Sequence, residues 1–167
     1  MEKILVSACL LGAKVRYHGG DARSFHPTLR RWEEEGRIVK ACPEVDGGLG
    51  APRPPAEIAG ADTGRGVVAR VAFVQTTTGV DVTGQFLRGA SLALEIARRE
   101  GVRVAILKEG SPSCGSSFVY DGTFSGTRTA GVGVTAALLE KNGIRVFSEA
   151  QIDAAEKWLR EADRSTG

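Results

Sequence analysis

The chain has 167 residues, a length that suits one compact domain. Hydrophobic residues make up 42% and charged residues 25%, an ordinary globular composition that excludes a disordered tail, a coiled coil and a collagen-like fibre. With 22 Lys and Arg against 20 Asp and Glu, the net charge of +2 favours no nucleic-acid partner. No run approaches the ~18 apolar residues of a membrane helix. The apolar stretch near the first residue is also too short for a signal peptide. We therefore expect a cytoplasmic protein that does not contact a membrane.

Short apolar and β-branched runs alternate with segments of helical periodicity along the chain. In order, the pattern predicts a strand at 3–8, a helix at 27–35, a strand at 37–41, a breaker-rich loop at 43–60, a hairpin of strands at 67–74 and 79–83, a helix at 84–100, a strand at 102–107, a looser segment at 116–126, a helix at 130–142, a strand at 144–147 and a final helix at 149–162. This alternation implies βαβ units. We predict a single α/β domain over 1–167, a three-layer Rossmann-like sandwich with a mostly parallel sheet.

The three cysteines of the chain each lie at or just past the end of a predicted buried strand, at Cys9, Cys42 and Cys114. Parallel strands bring their carboxyl ends to one edge of a sheet, where ligands bind in such folds, so we expect the thiols to converge. An odd number of cysteines in a reducing compartment argues against a disulfide framework. Small or helix-breaking neighbours leave room and free N–H groups around each sulfur, as a metal-bound thiolate requires.

Spacing alone leaves the bound group open. A structural zinc ion has four protein ligands, and an iron–sulfur cluster is normally held by four cysteines. Three thiolates would therefore leave one coordination position, on the zinc ion or on one iron, free for a substrate atom. Neither His18 nor His26 has ligand spacing to a cysteine. The alternatives are an iron–sulfur enzyme, a Cys₃ zinc hydrolase, and a non-enzymatic iron–sulfur sensor or scaffold on the same fold. Simple thiol redox chemistry would need a Cys-x-x-Cys pair, which the sequence lacks.

Polar side chains accompany the cysteines. Glu44 follows two residues after Cys42 and could serve as a general acid or base. Ser111 and Ser113 precede the third cysteine, and their hydroxyls could cap a helix or bind a ligand. Arg53, between two prolines, could present its guanidinium to a carbonyl or an anion. Three further charged residues flank these segments: Glu57, Lys108 and Glu109.

Several motifs resemble those of the DUF523 family, over about residues 3–149. They are VSACLLG at 6–12, VRYHG at 15–19, CPE at 42–44, GGL at 47–49, PRPPAE at 52–57, LKEGSPSCG at 107–115, YDGTF at 120–124 and GVGVT at 131–135. They are long, and they occur in the family's order. The resemblance leaves only the C-terminal helix at 149–162 outside the shared core.

The DUF523 family includes thiouracil desulfidases. The resemblance implies an oxygen-sensitive [4Fe-4S] cluster held by Cys9, Cys42 and Cys114, with one open iron that takes the sulfur of a thionated pyrimidine. It further implies a hydrolytic, non-redox reaction in which 2-thiouracil and water give uracil and hydrogen sulfide. Glu44 and Ser111 match the family's proposed catalytic positions. A soft thiocarbonyl sulfur does prefer soft, thiolate-ligated iron, so the implied chemistry suits the residues.

Overall fold

The computed structural model describes residues 1–165, and within them the chain forms eight strands and six α-helices. In chain order these are β1 (Ile4–Ser7), α1 (Pro27–Glu34), β2 (Ile38–Ala41), α2 (Pro43–Asp46), β3 (Ala56–Ile58), α3 (Gly64–Val68), β4 (Val74–Thr76), α4 (Thr83–Arg99), β5 (Val104–Leu107), β6 (Phe118–Tyr120), β7 (Arg128–Ala130), α5 (Val134–Lys141), β8 (Arg145–Ser148) and α6 (Ile152–Ser165). Three 3₁₀ helices occur at Ala8–Leu11, Ala59–Ala61 and Glu149–Gln151.

Four strands form a parallel sheet in the order β2-β1-β5-β8. The register pairs Ile4 of β1 with Ile38 of β2 on one side and with Val104 of β5 on the other. Every residue of β1 and β5 is buried, as is typical of inner strands covered by helices on both faces. The sheet confirms the predicted α/β, Rossmann-like architecture.

Successive side chains of a strand point to opposite faces of the sheet, so the inner strands build two cores. Leu5 and Leu107 belong to the core formed with α4 and α5. Ile4 and Ile106 belong to the core formed with α1 and α6, where Trp32 is also fully buried. Each such side chain contributes about 1.5–3 kcal/mol through burial. The two cores are the inner surfaces of a helix–sheet–helix sandwich.

The hairpin predicted with strands at 67–74 and 79–83 is only partly present. Residues 64–68 form α3, and β4 pairs antiparallel with β3. Of the predicted hairpin, the turn after β4 remains, with one antiparallel bridge between Gln75 and Asp81. Val67 is β-branched but packs inside a third core with Ile58 and Phe86, so tertiary packing overrides its strand propensity. The loop predicted at 43–60 correspondingly contains both α2 and β3.

The looser segment predicted at 116–126 contains β6, which pairs antiparallel with β7. The helix predicted from residue 130 therefore begins later, at Val134. Its predicted first residues are strand and turn, because Ala130 pairs with Phe118 and Gly131 donates its N–H to the Ser117 carbonyl at 3.0 Å. Within residues 1–165, no helix combines the length and apolar character needed to cross a membrane.

Candidate functional site

All three cysteines line one cavity at the carboxyl edge of the parallel sheet. Cys9 lies in the 3₁₀ helix after β1, Cys42 directly follows β2, and Cys114 lies in the loop after β5. All three are free thiols. The cavity has a volume of about 900 Å³, within the roughly 300–1,000 Å³ common for small-molecule sites.

The loop that carries Cys114 is fixed against the first turn of α5. The N–H of Thr135 donates to the Ser113 carbonyl at 2.9 Å, and that of Gly133 donates to the Gly115 carbonyl at 2.8 Å. These bonds satisfy donors that a helix N-terminus leaves without an internal partner. Gly133 is required here because a Cβ would overlap the backbone of Ser113.

Cys42 is positioned by the start of α2. Pro43 occupies the first turn of this helix, which leaves Cys42 as its N-cap residue, and the Cys42 N–H donates to Asp46 Oδ2 at 3.1 Å. α2 packs closely on α4, where a Cβ at Gly89 would overlap the Pro43 carbonyl. The close approach of the two helices thus fixes the second thiol relative to the sheet.

Burial raises the pKa of all three thiols. The effect is largest at Cys114, where burial raises the pKa to about 12 despite a hydrogen bond from Ser7. The charges of Glu44, Cys9 and Cys42 raise the pKa of Cys114 further, so each of these groups lies within electrostatic range of Cys114. A positively charged metal centre removes this penalty, because a coordinating thiol is deprotonated outright.

The donor set fits an iron–sulfur cluster better than a single ion. In the described part of the chain, no three or more His, Cys, Asp or Glu side chains stand close enough together to hold one metal ion. The thiols still face one cavity, and a four-iron cluster is wider than a single ion, so its thiolate ligands stand further apart. Neither His18 nor His26 lines that cavity. The Cys₃ zinc alternative is therefore not favoured.

Glu44 lies in the first turn of α2 and lines the same cavity. Its carboxylate is 3.3 Å from Arg53 Nη2, and both side chains are largely buried. Arg53 is itself fixed by the carbonyls of Val15 and Gly50, at 2.8 and 3.0 Å. Burial raises the pKa of Glu44, while the charges of Arg53 and Arg16 oppose that rise. A buried carboxylate held in one orientation is suited to proton transfer.

The structure separates the roles of the two serines before Cys114. Ser111 lines the cavity, and its Oγ accepts the N–H groups of Ser113 and Cys114, each at 3.1 Å. Because these bonds use the acceptor capacity of the oxygen, the Ser111 hydroxyl proton is left to donate. Ser113 is fully buried, and its hydroxyl lies 2.7 Å from that of Thr135. Ser113 is therefore a structural residue of the loop.

Two other predicted charged residues stabilise the cavity wall. Glu109 accepts hydrogen bonds from the N–H and hydroxyl groups of Ser116 and Ser117, at 2.8–3.1 Å. Burial opposes ionisation of Glu109, but these bonds outweigh it and lower the pKa to about 2. Lys108 pairs with Glu149 at 3.0 Å. The Glu109 bonds tie the segment after β5 to the loop before β6, and the Lys108 pair ties it to the 3₁₀ helix after β8.

Glu57 anchors the segment that follows β6. Its Oε1 accepts the N–H groups of Gly122 at 2.9 Å and of Phe124 at 3.2 Å. Phe124 lines the cavity with a left-handed backbone, at a φ of +57°. This conformation costs a non-glycine residue of order 1–3 kcal/mol, so the anchoring bonds are needed to maintain it.

Sequence reasoning missed several residues of the cavity wall: Ser7, Arg16, Tyr17, Phe118, Phe124 and Arg128. Ser7, Arg16, Tyr17 and Phe124 lie within the motifs at 6–12, 15–19 and 120–124, and those motifs are the sequence signal that could have identified them. Phe118 and Arg128 come from β6 and β7, with the guanidinium 4.1 Å from the ring centroid. Nothing in the local pattern predicts that this small strand pair covers the sheet edge.

Comparison with known proteins agrees with this geometry. The family model described as 2-thiouracil desulfurase matches residues 4–151. The chain is 47% identical over 150 residues to the uncharacterized protein YbbK of Bacillus subtilis (strain 168), covering 90% of this chain and 97% of that protein. It also resembles the solved structure of the [4Fe-4S]-dependent thiouracil desulfidase TudS (DUF523Vcz). The TM-score is 0.87 and the identity 48%, over 96% of this chain and 99% of that one.

Proposed function

Because the chain belongs to the 2-thiouracil desulfurase family, we propose that it is a [4Fe-4S]-dependent thiouracil desulfidase. The net reaction converts 2-thiouracil and water into uracil and hydrogen sulfide, without net redox change. The observation that carries the proposal is the convergence of Cys9, Cys42 and Cys114 on a cavity that also contains Glu44 and Ser111.

The three thiolates would hold the cluster, and the fourth iron would have no protein ligand. When bound, the cluster supplies a soft Lewis acid for the thiocarbonyl sulfur of the substrate. The three thiolates can be negatively charged although they are buried, because the positive charge of the iron ions compensates theirs. Three reduced thiols and an oxygen-sensitive cluster also need a reducing compartment, so a cytoplasmic location is part of the proposal.

Glu44 acts as general base and then as general acid. It takes a proton from water as the water oxygen bonds to C2 of the ring, and it returns that proton to the departing sulfur as the C–S bond breaks. It then takes the remaining proton from the oxygen at C2 as the C=O bond forms and passes it to sulfide, so that both protons of the water molecule leave as hydrogen sulfide. Arg53 keeps the Glu44 carboxylate in place at 3.3 Å. The Ser111 hydroxyl, which is left as a donor, stabilises the negative charge that develops on the substrate.

Aromatic side chains make the rest of the cavity suitable for a planar pyrimidine: Tyr17, Phe118, Tyr120 and Phe124. Aromatic faces bind flat rings through stacking and edge contacts. The near-neutral net charge of +2 favours a small-molecule thionated pyrimidine over a nucleic acid.

Turnover of 2-thiouracil in ¹⁸O-labelled water by the anaerobically reconstituted protein tests the proposal. We expect sulfide and uracil in equal amounts, one labelled oxygen in each uracil, and no requirement for an added reductant. Uracil without label, or sulfide release that depends on a reductant, would exclude a hydrolytic desulfidase. Protein without the cluster, assayed in parallel, should be inactive.

A further inference from the structure

Ser7, the last residue of β1, lies against the loop after β5, between the backbone at the start of that loop and the sulfur of Cys114. Its side chain is 3% exposed. The N–H of Lys108 donates to Ser7 Oγ at 3.1 Å, and Ser7 Oγ lies 3.6 Å from Cys114 Sγ. Neither the proton-transfer role of Glu44 nor the donor role of Ser111 uses this contact.

The surroundings of Ser7 determine where its hydroxyl proton points. A serine hydroxyl has one proton to donate and can accept through its oxygen. The Lys108 N–H already donates to that oxygen, and the Cys114 sulfur is the acceptor that remains within reach of the proton. A neutral thiol is a weak acceptor, whereas a thiolate is a charged and stronger one.

At Cys114 the donor is the neutral Ser7 hydroxyl. Such hydrogen bonds to ligating sulfurs adjust the electronic properties of an iron–sulfur centre.

We propose that Ser7 is a positioning residue that donates a hydrogen bond to the cluster-bound Cys114 thiolate and thereby withdraws electron density from the cluster. The inference rests on the proposed function, since it requires a cluster at Cys114. A donor to sulfur stabilises the reduced cluster, with its extra negative charge, more than the oxidised one. It therefore raises the reduction potential and makes the iron a better acceptor for a neutral thiocarbonyl sulfur.

Redox titration of the reconstituted Ser7→Ala protein tests this role by a measurement other than activity. We expect the midpoint potential to fall by about 59 mV, which is a tenfold change in the equilibrium constant of a one-electron couple. Ser148→Ala is the matched control. Ser148 is also 3% exposed and also ends a strand of the same sheet, but its hydroxyl accepts the Ala150 N–H at 3.2 Å. The control should keep the wild-type potential, and Ser7→Thr, which retains the hydroxyl, should restore it.

The unmodified protein provides a second measurement that does not depend on how well Ser7→Ala folds. Resonance Raman spectra of the cluster in light and heavy water should show a shift in an Fe–S(Cys) stretching band, because the Ser7 proton exchanges with solvent. A wild-type cluster without that shift, or a Ser7→Ala potential equal to wild type, would overturn the role of Ser7 while leaving the desulfidase proposal intact. Absence of a cluster from the wild-type protein would instead refute the proposed function, and the inference with it.

Discussion

Replacing Glu109 by glutamine removes the carboxylate that connects the end of β5 to the loop before β6. The Glu109 carboxylate accepts four hydrogen bonds from Ser116 and Ser117 at 2.8–3.1 Å. A glutamine side chain keeps one acceptor oxygen for the two backbone N–H groups, and its NH₂ group can donate to the two serine hydroxyls, which rotate to accept. The four bonds would therefore become neutral, and neutral hydrogen bonds are about half as strong as those to a charged carboxylate.

The magnitude follows from the pKa of Glu109, which these bonds lower from 4.5 to about 2. At about 1.4 kcal/mol per unit, the stabilisation is about 3 kcal/mol, and solvent screening of this partly exposed group reduces it to about 1–2 kcal/mol. Because the folded-state pKa is depressed, the stabilisation is fully present above the unfolded-state pKa. It is lost as pH falls from about 4.5 towards about 2.

Urea unfolding of the metal-free Glu109→Gln and wild-type proteins measures this difference. The free energy of unfolding should be about 1–2 kcal/mol lower in the variant near neutral pH, and the two values should converge as pH falls towards about 2. Glu33→Gln, on the exposed surface of α1, is the control and should change little. A Glu109→Gln variant as stable as wild type at neutral pH, or a difference that grows in acid, would contradict the hydrogen-bond argument.

Three further predictions concern the site directly. Replacing any one of Cys9, Cys42 and Cys114 by serine should abolish both cluster binding, measured as bound iron, and turnover. A variant that keeps its full iron content would exclude the replaced residue as a ligand. Glu44→Gln should keep the cluster but lower kcat about 10²-fold or more, and unchanged kcat would assign the proton transfer elsewhere. Gly133→Ala should displace the Cys114 loop, reducing iron uptake and Tm, whereas Gly84→Ala, at a helical position where a Cβ meets no atom within 4 Å, should lower neither. Equal iron uptake by both glycine variants would refute the close-approach argument.

The convergence of the cysteines could be predicted from sequence because it depends only on strand order and direction. β1, β2 and β5 are parallel, so the residues after them lie at one edge whatever the loops do. The inner strands are short apolar and β-branched runs, the pattern of parallel strands that are buried on both faces. This part of the site follows from the fold, and the fold follows from the alternation of strands and helices.

The parts that could not be predicted depend on contacts between segments distant in sequence. Glu57 lies on β3 yet fixes Phe124, and Ser7 reaches Cys114 across the sheet edge. The β3–β4 pair was missed because a run of prolines and glycines precedes β3, and local propensity does not reveal a partner on the far side of α3. For Ser111 and Ser113, only the packing of the loop on α5 separates the half-buried donor that lines the cavity from the fully buried structural hydroxyl.

The most direct measurement of the central claim is anaerobic reconstitution with iron and sulfide, followed by iron analysis and a 2-thiouracil assay on the same sample. We expect about four irons per chain and release of sulfide with uracil. Four irons without turnover would retain the cluster site and contradict the assigned substrate. A protein that binds zinc alone, or no metal, under these conditions would contradict the proposed enzyme.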